Sequence, residues 1–159
     1  MNRLVSLAVF LSSVIVTAVV AGLFVGGDWY HFMSKPAWNP SPMLMALVWA
    51  VLYVLMAVSA WMVWDSMRDL ARVALGWWGL QLLLNIAWSW MFFGLHRIGW
   101  ALVVSSLWLL VVVIVIRSFR PIRQEAANLM MPLAAWLIFM WILSFYQWHL
   151  NGGGLGSVF

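Results

Sequence analysis

The chain has no cysteine. That excludes disulfides, thiolate haem ligation and cysteine nucleophiles, and it leaves the redox compartment open. Charge is nearly as scarce. Eight basic and four acidic residues serve 159 positions, whereas globular chains are roughly a quarter charged. The complete charged set is Arg3, Asp28, Lys35, Asp65, Arg68, Asp69, Arg72, Arg97, Arg117, Arg120, Arg123 and Glu125. No carboxylate pair is spaced for acid–base work, no Ser-His-Asp arrangement is visible, and no glycine loop is built to cradle phosphate. Hydrolysis and group transfer therefore lack recognisable machinery. His31, His96 and His149 are too scattered in sequence to form a metal set, so no metal and no cofactor is expected. A net charge of +4 does not point to nucleic acid.

What the chain has is apolar surface. Hydrophobic residues make up 67% of it, more than a soluble domain of this size can hide, so the bilayer must be the solvent. Between the charges lie five uncharged runs: Leu4 to Gly27, Pro36 to Trp64, Val73 to Leu95, Ile98 to Ile116, and Ala126 onward. About 20 apolar residues cross a ~30 Å hydrocarbon core as a helix. In lipid only a helix or a closed barrel satisfies its own backbone, and these runs show no strict alternation. The expected fold is an all-α membrane protein, one bundle of five transmembrane helices at about 4–25, 43–64, 73–95, 98–116 and 126–150. The first run is longer than a signal-peptide core and lacks a small-x-small cleavage site, so it reads as a retained helix. No intramembrane ionisable residue suggests a proton relay, which argues against an ion-coupled pump.

Arg3, Arg68, Arg72, Arg117, Arg120 and Arg123 lie on one side of this arrangement, and only Lys35 and Arg97 on the other. The positive-inside rule then places the N-terminus in the cytoplasm and the first long loop outside. That loop, 28–42, is proline-broken and aromatic: Trp29-Tyr30-His31-Phe32-Met33-Ser34-Lys35-Pro36-Ala37-Trp38-Asn39-Pro40. A chain that only needs to turn around has no use for it. It reads as a lid.

Polar and aromatic residues gather beneath that lid. With a rise of ~1.5 Å per residue, Trp49 lies roughly 9 Å and Tyr53 about 15 Å below the lid-side end of the second span. Trp88 and Asn85 fall at roughly 10 and 15 Å on the third, Met140 and Trp136 at about 15 and 21 Å on the fifth. Gln81, Asn85, Trp88 and Phe92 share one stripe of the third span; Trp136, Met140, Ser144, Gln147 and Asn151 share one of the fifth. An amide facing lipid is costly, so Gln81 and Asn85 should face the interior. The expectation is a pocket with flat aromatic walls and a few hydrogen-bonding groups, suited to a large planar ligand.

Plainer readings exist. Asn and Gln serve as interhelical glue, and Asn85 alone fits either role. Trp29, Trp64, Trp100 and Trp148, near span ends, fit an interfacial belt, and Trp77 and Trp78 fit anchoring or packing. Lys35 and Arg97 read as solvated flanking charges that can also greet a carboxylate. Ala71, Leu75 and Gly79 repeat every four residues and suit close helix approach, hence a homodimer through the third span. Ala18 and Gly22 offer a competing face, or simple packing.

Several motifs in order resemble the tryptophan-rich sensory protein/translocator protein family, the peripheral-type benzodiazepine receptors. They are Trp29-Tyr30 with Lys35-Pro36-Ala37-Trp38-Asn39-Pro40, then Val48-Trp49 with Leu52-Tyr53, and Gln81 to Ser89 leading into Phe92-Phe93-Gly94 and Gly99 to Val103. Met131 to Trp136, with Trp148 and Asn151, completes the series. The resemblance covers all but the first span and the tail. It implies a membrane protein, often dimeric, that binds porphyrins such as protoporphyrin IX and, in some members, cholesterol and isoquinoline or benzodiazepine ligands. The implied roles are sensing, regulation or carriage of tetrapyrroles; the alternatives are light-dependent porphyrin breakdown and a structural membrane subunit. The family's pocket maps onto Trp38, Trp49, Asn85, Trp88 and Trp136, with Asn39, Tyr53, Gln81, Phe92 and Met140 beside them. Breakdown would fall to Trp49 and Trp136. Ser41, Met140, Trp141 and Ser144 depart from the family pattern, which bears on lid tightness and ligand choice.

Overall fold

The computed structural model describes residues 2–25, 27–66 and 70–154. Among them are six α-helices: α1 Arg3–Gly22, α2 Asp28–Phe32, α3 Pro42–Asp65, α4 Ala71–Ser89, α5 Ile98–Phe119 and α6 Gln124–Leu150. A π-helical turn, Trp90–Gly94, extends α4. No strand occurs among the described residues. Four helices, α1, α3, α5 and α6, are long and apolar enough to cross a membrane. α4 has the length, but Arg72, Gln81, Asn85 and three tryptophans dilute its apolar character. The described residues thus hold six α-helices against the five expected, and four of them qualify as spans by length and composition.

The extra helix is α2, inside the segment expected to be a plain loop. Gly27 takes a positive φ of 98° that suits glycine, Asp28 sits in the first turn, and Met33 N–H closes onto the Trp29 carbonyl at 3.1 Å. α1 ends at Gly22, not Val25, because Leu23 and Phe24 N–H bond back to Val19 and Ala21 and close the last turn. Ser41 caps α3 by accepting from Leu44 N–H, with Pro42 at the first helical position. The π turn has its own cause. A Cβ on Gly94 would come within 2.8 Å of Trp90 Cδ1 and 3.2 Å of Phe24 Cδ1, so the ring packing there needs a glycine. His96, at φ 57°, then reverses the chain into α5.

Helix contacts close a ring: α1 on α3, α3 on α6, α6 on α5, α5 on α4, and α4 back on α1. Small polar side chains stitch the ring. Ser59 Oγ donates to the Ala126 carbonyl at 2.7 Å, and Ser89 Oγ to the Ala21 carbonyl at 2.7 Å, both buried. At the end away from the lid, Arg3 makes a bidentate ion pair with Asp65. Trp61 Nε1–H donates to the Arg3 carbonyl at 3.2 Å in the same corner. At the lid end, Asn151 copies a strand partner. Its Oδ1 accepts from Ser34 N–H at 3.0 Å and its Nδ2 donates to the Ser34 carbonyl at 2.8 Å. Gln147 Nε2 reaches Asn39 Oδ1 at 3.0 Å. The last turn of α6 therefore pins the lid at two points.

An interhelical hydrogen bond in a membrane averages about 0.6 kcal/mol and reaches about 2. Ser59→Ala, which frees one buried carbonyl without creating a large void, should lower unfolding stability in mixed micelles by that order. A stability equal to wild type would remove Ser59 from the set of α3–α6 ties.

Candidate functional site

A cavity of about 860 Å3 lies between α1, the lid, α3 and α4. Its aromatic wall is Trp49 and Tyr53 on α3, Trp88 and Phe93 on α4 and the π turn, and Tyr30 on the lid. Trp49 is backed by Trp108 of α5, nearly parallel to it, with centroids 5.8 Å apart at 11°. Trp88 stacks on Phe92 at 5.3 Å and 26°, and meets Phe93 edge-on. Rings braced from behind in this way present flat, stiff surfaces to whatever occupies the cavity. The polar content is small and placed. Asn85 is buried, and its Nδ2 donates to Tyr53 Oη at 3.0 Å, leaving the amide oxygen with capacity to accept. Asn39 also lines the cavity, and its Oδ1 is shared by Gln147 and Tyr30.

Lys35 and His31 stand on the lid side of the lining. The Lys35 ammonium donates to the His31 and Met33 carbonyls at 3.3 and 3.2 Å and lies 4.6 Å from the Tyr30 ring centroid. The lid folds its cation over its own aromatic ring, at the cavity rim, instead of extending it into water. Arg97, the other basic residue on this side, is exposed and does not line the cavity.

Five of the ten residues expected around the ligand meet here: Asn39, Trp49, Tyr53, Asn85 and Trp88. The other five lie elsewhere. Gln81 is fully buried; it accepts from Trp108 Nε1–H at 3.1 Å and donates to Met56 Sδ at 3.2 Å, so its amide is spent on packing. Phe92 sits behind Trp88, beneath Trp29. Met140 is buried in the core. Trp38 is 45% exposed and lies edge-on against Phe139 and Tyr146 on the flank of α6. Trp136 stacks on Phe139 and lines a separate apolar groove of about 530 Å3 with Val48, Leu52 and Pro132. The reason is rotational. Val48, Leu52 and Leu55 form one stripe of α3, and Ala46, Trp49, Ala50 and Tyr53 form another. Trp136 shares its groove with Val48 and Leu52, the stripe of α3 beside that of Trp49.

The expected dimer stripe also divides. Ala71 is buried within its own chain, packed in the core, and is not available to a partner. Leu75 and Gly79 remain half-exposed, and a Cβ on Gly79 would meet open space. Among the described residues, no group of three His, Asp or Glu is placed to hold a metal.

The TspO/MBR family profile matches residues 6–149. The chain belongs to the TspO/MBR family. It is 34% identical over 144 residues to the translocator protein of Homo sapiens, covering 87% of this chain and 85% of the relative. It is 32% identical over 149 residues to protein CrtK of Rhodobacter capsulatus, covering 92% of each. To the tryptophan-rich sensory protein of Cereibacter sphaeroides it is 30% identical over 142 residues, covering 89% of each. Membership and the helical spans together make this an integral, multi-pass membrane protein of that family.

Sequence reasoning missed two parts of the cavity. One is the α1 wall, Ala18, Ala21, Gly22 and Val25. Those residues are small or aliphatic and carry no signal beyond close packing. The other is Trp108, the ring behind Trp49. Its signal was present: a lone tryptophan about 15 Å from the lid-side end of its helix is too deep for an interfacial belt.

The Trp108–Gln81 hydrogen bond gives a direct test of how the Trp49 wall is held. Trp108→Phe keeps a ring but leaves the Gln81 amide oxygen without its donor, and should cost about 1–3 kcal/mol. Replacing both partners, Trp108→Phe with Gln81→Leu, should cost less than the sum of the single changes. Strict additivity in a double-mutant cycle contradicts the coupling.

Proposed function

We propose that this protein binds a planar tetrapyrrole of the protoporphyrin IX type within the membrane and acts as a sensor, regulator or carrier for it. The observation that carries this reading is the cavity: Trp49, Trp88, Tyr53 and Phe93 around one hydrogen-bonding amide, Asn85. Its volume falls inside the ~300–1,000 Å3 range of small-molecule sites. Large flat ligands gain most from walls of this kind, because stacking is worth about 0.5–1.5 kcal/mol per ring pair beyond the area buried. The family resemblance supplies the tetrapyrrole class. Lys35 and His31 at the rim suit ionised substituents at one edge of the ligand, and Asn85 suits a polar group at depth. In this reading α4 and its π turn make a fifth crossing, so the five long helices form the transmembrane bundle. The N-terminus is cytoplasmic and the lid outward, and pairing of two copies uses Leu75 and Gly79.

Cholesterol and isoquinoline or benzodiazepine ligands belong to the same reading as other apolar occupants. Light-dependent porphyrin breakdown through Trp49 and Trp136 gains no support from the geometry, since those two indoles border different spaces.

Titration of the detergent-solubilised protein with protoporphyrin IX should quench tryptophan fluorescence saturably. Trp49→Ala should raise the Kd by about tenfold, while Trp136→Phe should leave it near the wild-type value. Equal affinities for wild type and Trp49→Ala, or a loss confined to Trp136→Phe, overturn the placement of the ligand.

A further inference from the structure

The wall of the cavity formed by α1 and α3 is made of side chains too small to close it. Gly22 and Ala18 supply the α1 side, and Ala46 and Ala50 the α3 side. Gly22, Ala46 and Ala50 line the cavity and carry accessible surface. A Cβ built on Gly22 touches nothing within 4 Å. Both helices are membrane spans by length and composition, so a gap between them at this level opens toward lipid.

The fastenings of the two helices agree with an opening there. Among the described residues, the side-chain hydrogen bonds between α1 and α3 all involve Arg3, at the far end: the Asp65 pair and the Trp61 contact. The Phe10–Trp64 ring contact, centroids 6.4 Å apart, lies in the same half. At the lid end α1 is tied to α4, through Ser89 and the Ala21 carbonyl, and not to α3. Among the described residues, no side-chain hydrogen bond joins the pair at the lid end. Directly above, the lid is closed by stronger means, the two amide side chains of Gln147 and Asn151.

We propose that the cavity is loaded sideways, from the lid-side leaflet through the cleft between α1 and α3, while the lid stays latched. The class of ligand follows. It is an amphiphile already dissolved in the bilayer, whose apolar body passes Gly22 and Ala50 and whose polar edge stays near Lys35 and His31 at the rim. The proposal rests on the cavity being the ligand site, but its test needs no tetrapyrrole.

Because the chain has no cysteine, one can be placed at will. Met45→Cys puts a thiol on the cavity lining at a partly accessible position outside the small residues of the cleft. In nanodiscs, this thiol should react with pyrenylmaleimide, which partitions into lipid, faster than with a charged, water-confined thiosulfonate. Adding Gly22→Phe and Ala50→Phe should slow the pyrenylmaleimide reaction by about tenfold or more. Bulky changes elsewhere on the same helices, Val16→Phe with Val54→Phe, should leave it unchanged, which controls for misfolding; both positions are exposed and outside the lining. Asn151→Leu, which releases the lid, should also leave it unchanged. An unaltered rate in the Gly22→Phe/Ala50→Phe background, an equal slowing by the control pair, or acceleration by Asn151→Leu overturns lateral loading.

Discussion

A polar group inside a bilayer must find its partner within the protein, and this constraint organises the whole molecule. Some polar side chains of the described spans bond back to their own helix, as Ser13, Thr17 and Ser105 do, and others join two helices. Asn85 reaches Tyr53, Gln81 receives Trp108, Ser59 reaches the Ala126 carbonyl and Ser89 the Ala21 carbonyl. Hydrophobicity cannot hold helices together where lipid is as apolar as leucine. These bonds and close packing do so instead. Two of them, Asn85 to Tyr53 and Ser89 to the Ala21 carbonyl, border the cavity between α1, the lid, α3 and α4.

The same bonds give the cavity its character. Gln81 fixes Trp108, and Trp108 lies flat behind Trp49, so one wall is braced from two layers away. Asn85 spends one donor on Tyr53, which leaves its amide oxygen with capacity to accept. The lid is governed from a distance as well. Asn39 touches the cavity on one side and Gln147 on the other, so the last turn of α6 is mechanically connected to the space that it does not line. Three buried polar atoms, Trp29 Nε1, Trp136 Nε1 and Ser144 Oγ, have no partner among the described residues. All three lie on the lid or on α6, next to the structure's less tightly bonded half.

Much of this was legible in the sequence, and the part that was not has one physical origin. Charge spacing marks out apolar runs long enough to cross lipid, so the all-helical membrane character follows from counting. Depth also follows from counting, because helical rise is constant; Trp49, Tyr53, Asn85 and Trp88 could be set at one level before any coordinates. Rotation about the helix axis is harder. A stripe shows which residues of one helix share a face, but not which neighbour that face meets. Trp136 lies against the neighbouring stripe of α3 and Met140 in the core, both outside the cavity, and Ala71, expected at a partner, is covered by its own chain. α2 was hidden because five residues of helix within a proline-broken segment leave no periodicity to read. The α1 wall was hidden because glycine and alanine announce space without saying what fills it.

The functional account joins two facts of different kinds. Family membership fixes what sort of membrane protein this is, and the cavity fixes where its ligand has room. The central claim is that the ligand lies between Trp49 and Trp88, and that Trp136 and Trp38 stand outside. Fluorine NMR of protein labelled with 5-fluorotryptophan, each signal assigned by single substitution, tests this most directly, because a macrocycle's ring current shifts only nearby nuclei. On addition of protoporphyrin IX the Trp49 and Trp88 resonances should move saturably and together, with those of Trp136 and Trp38 unmoved. Movement of Trp136 with Trp49 stationary contradicts the account.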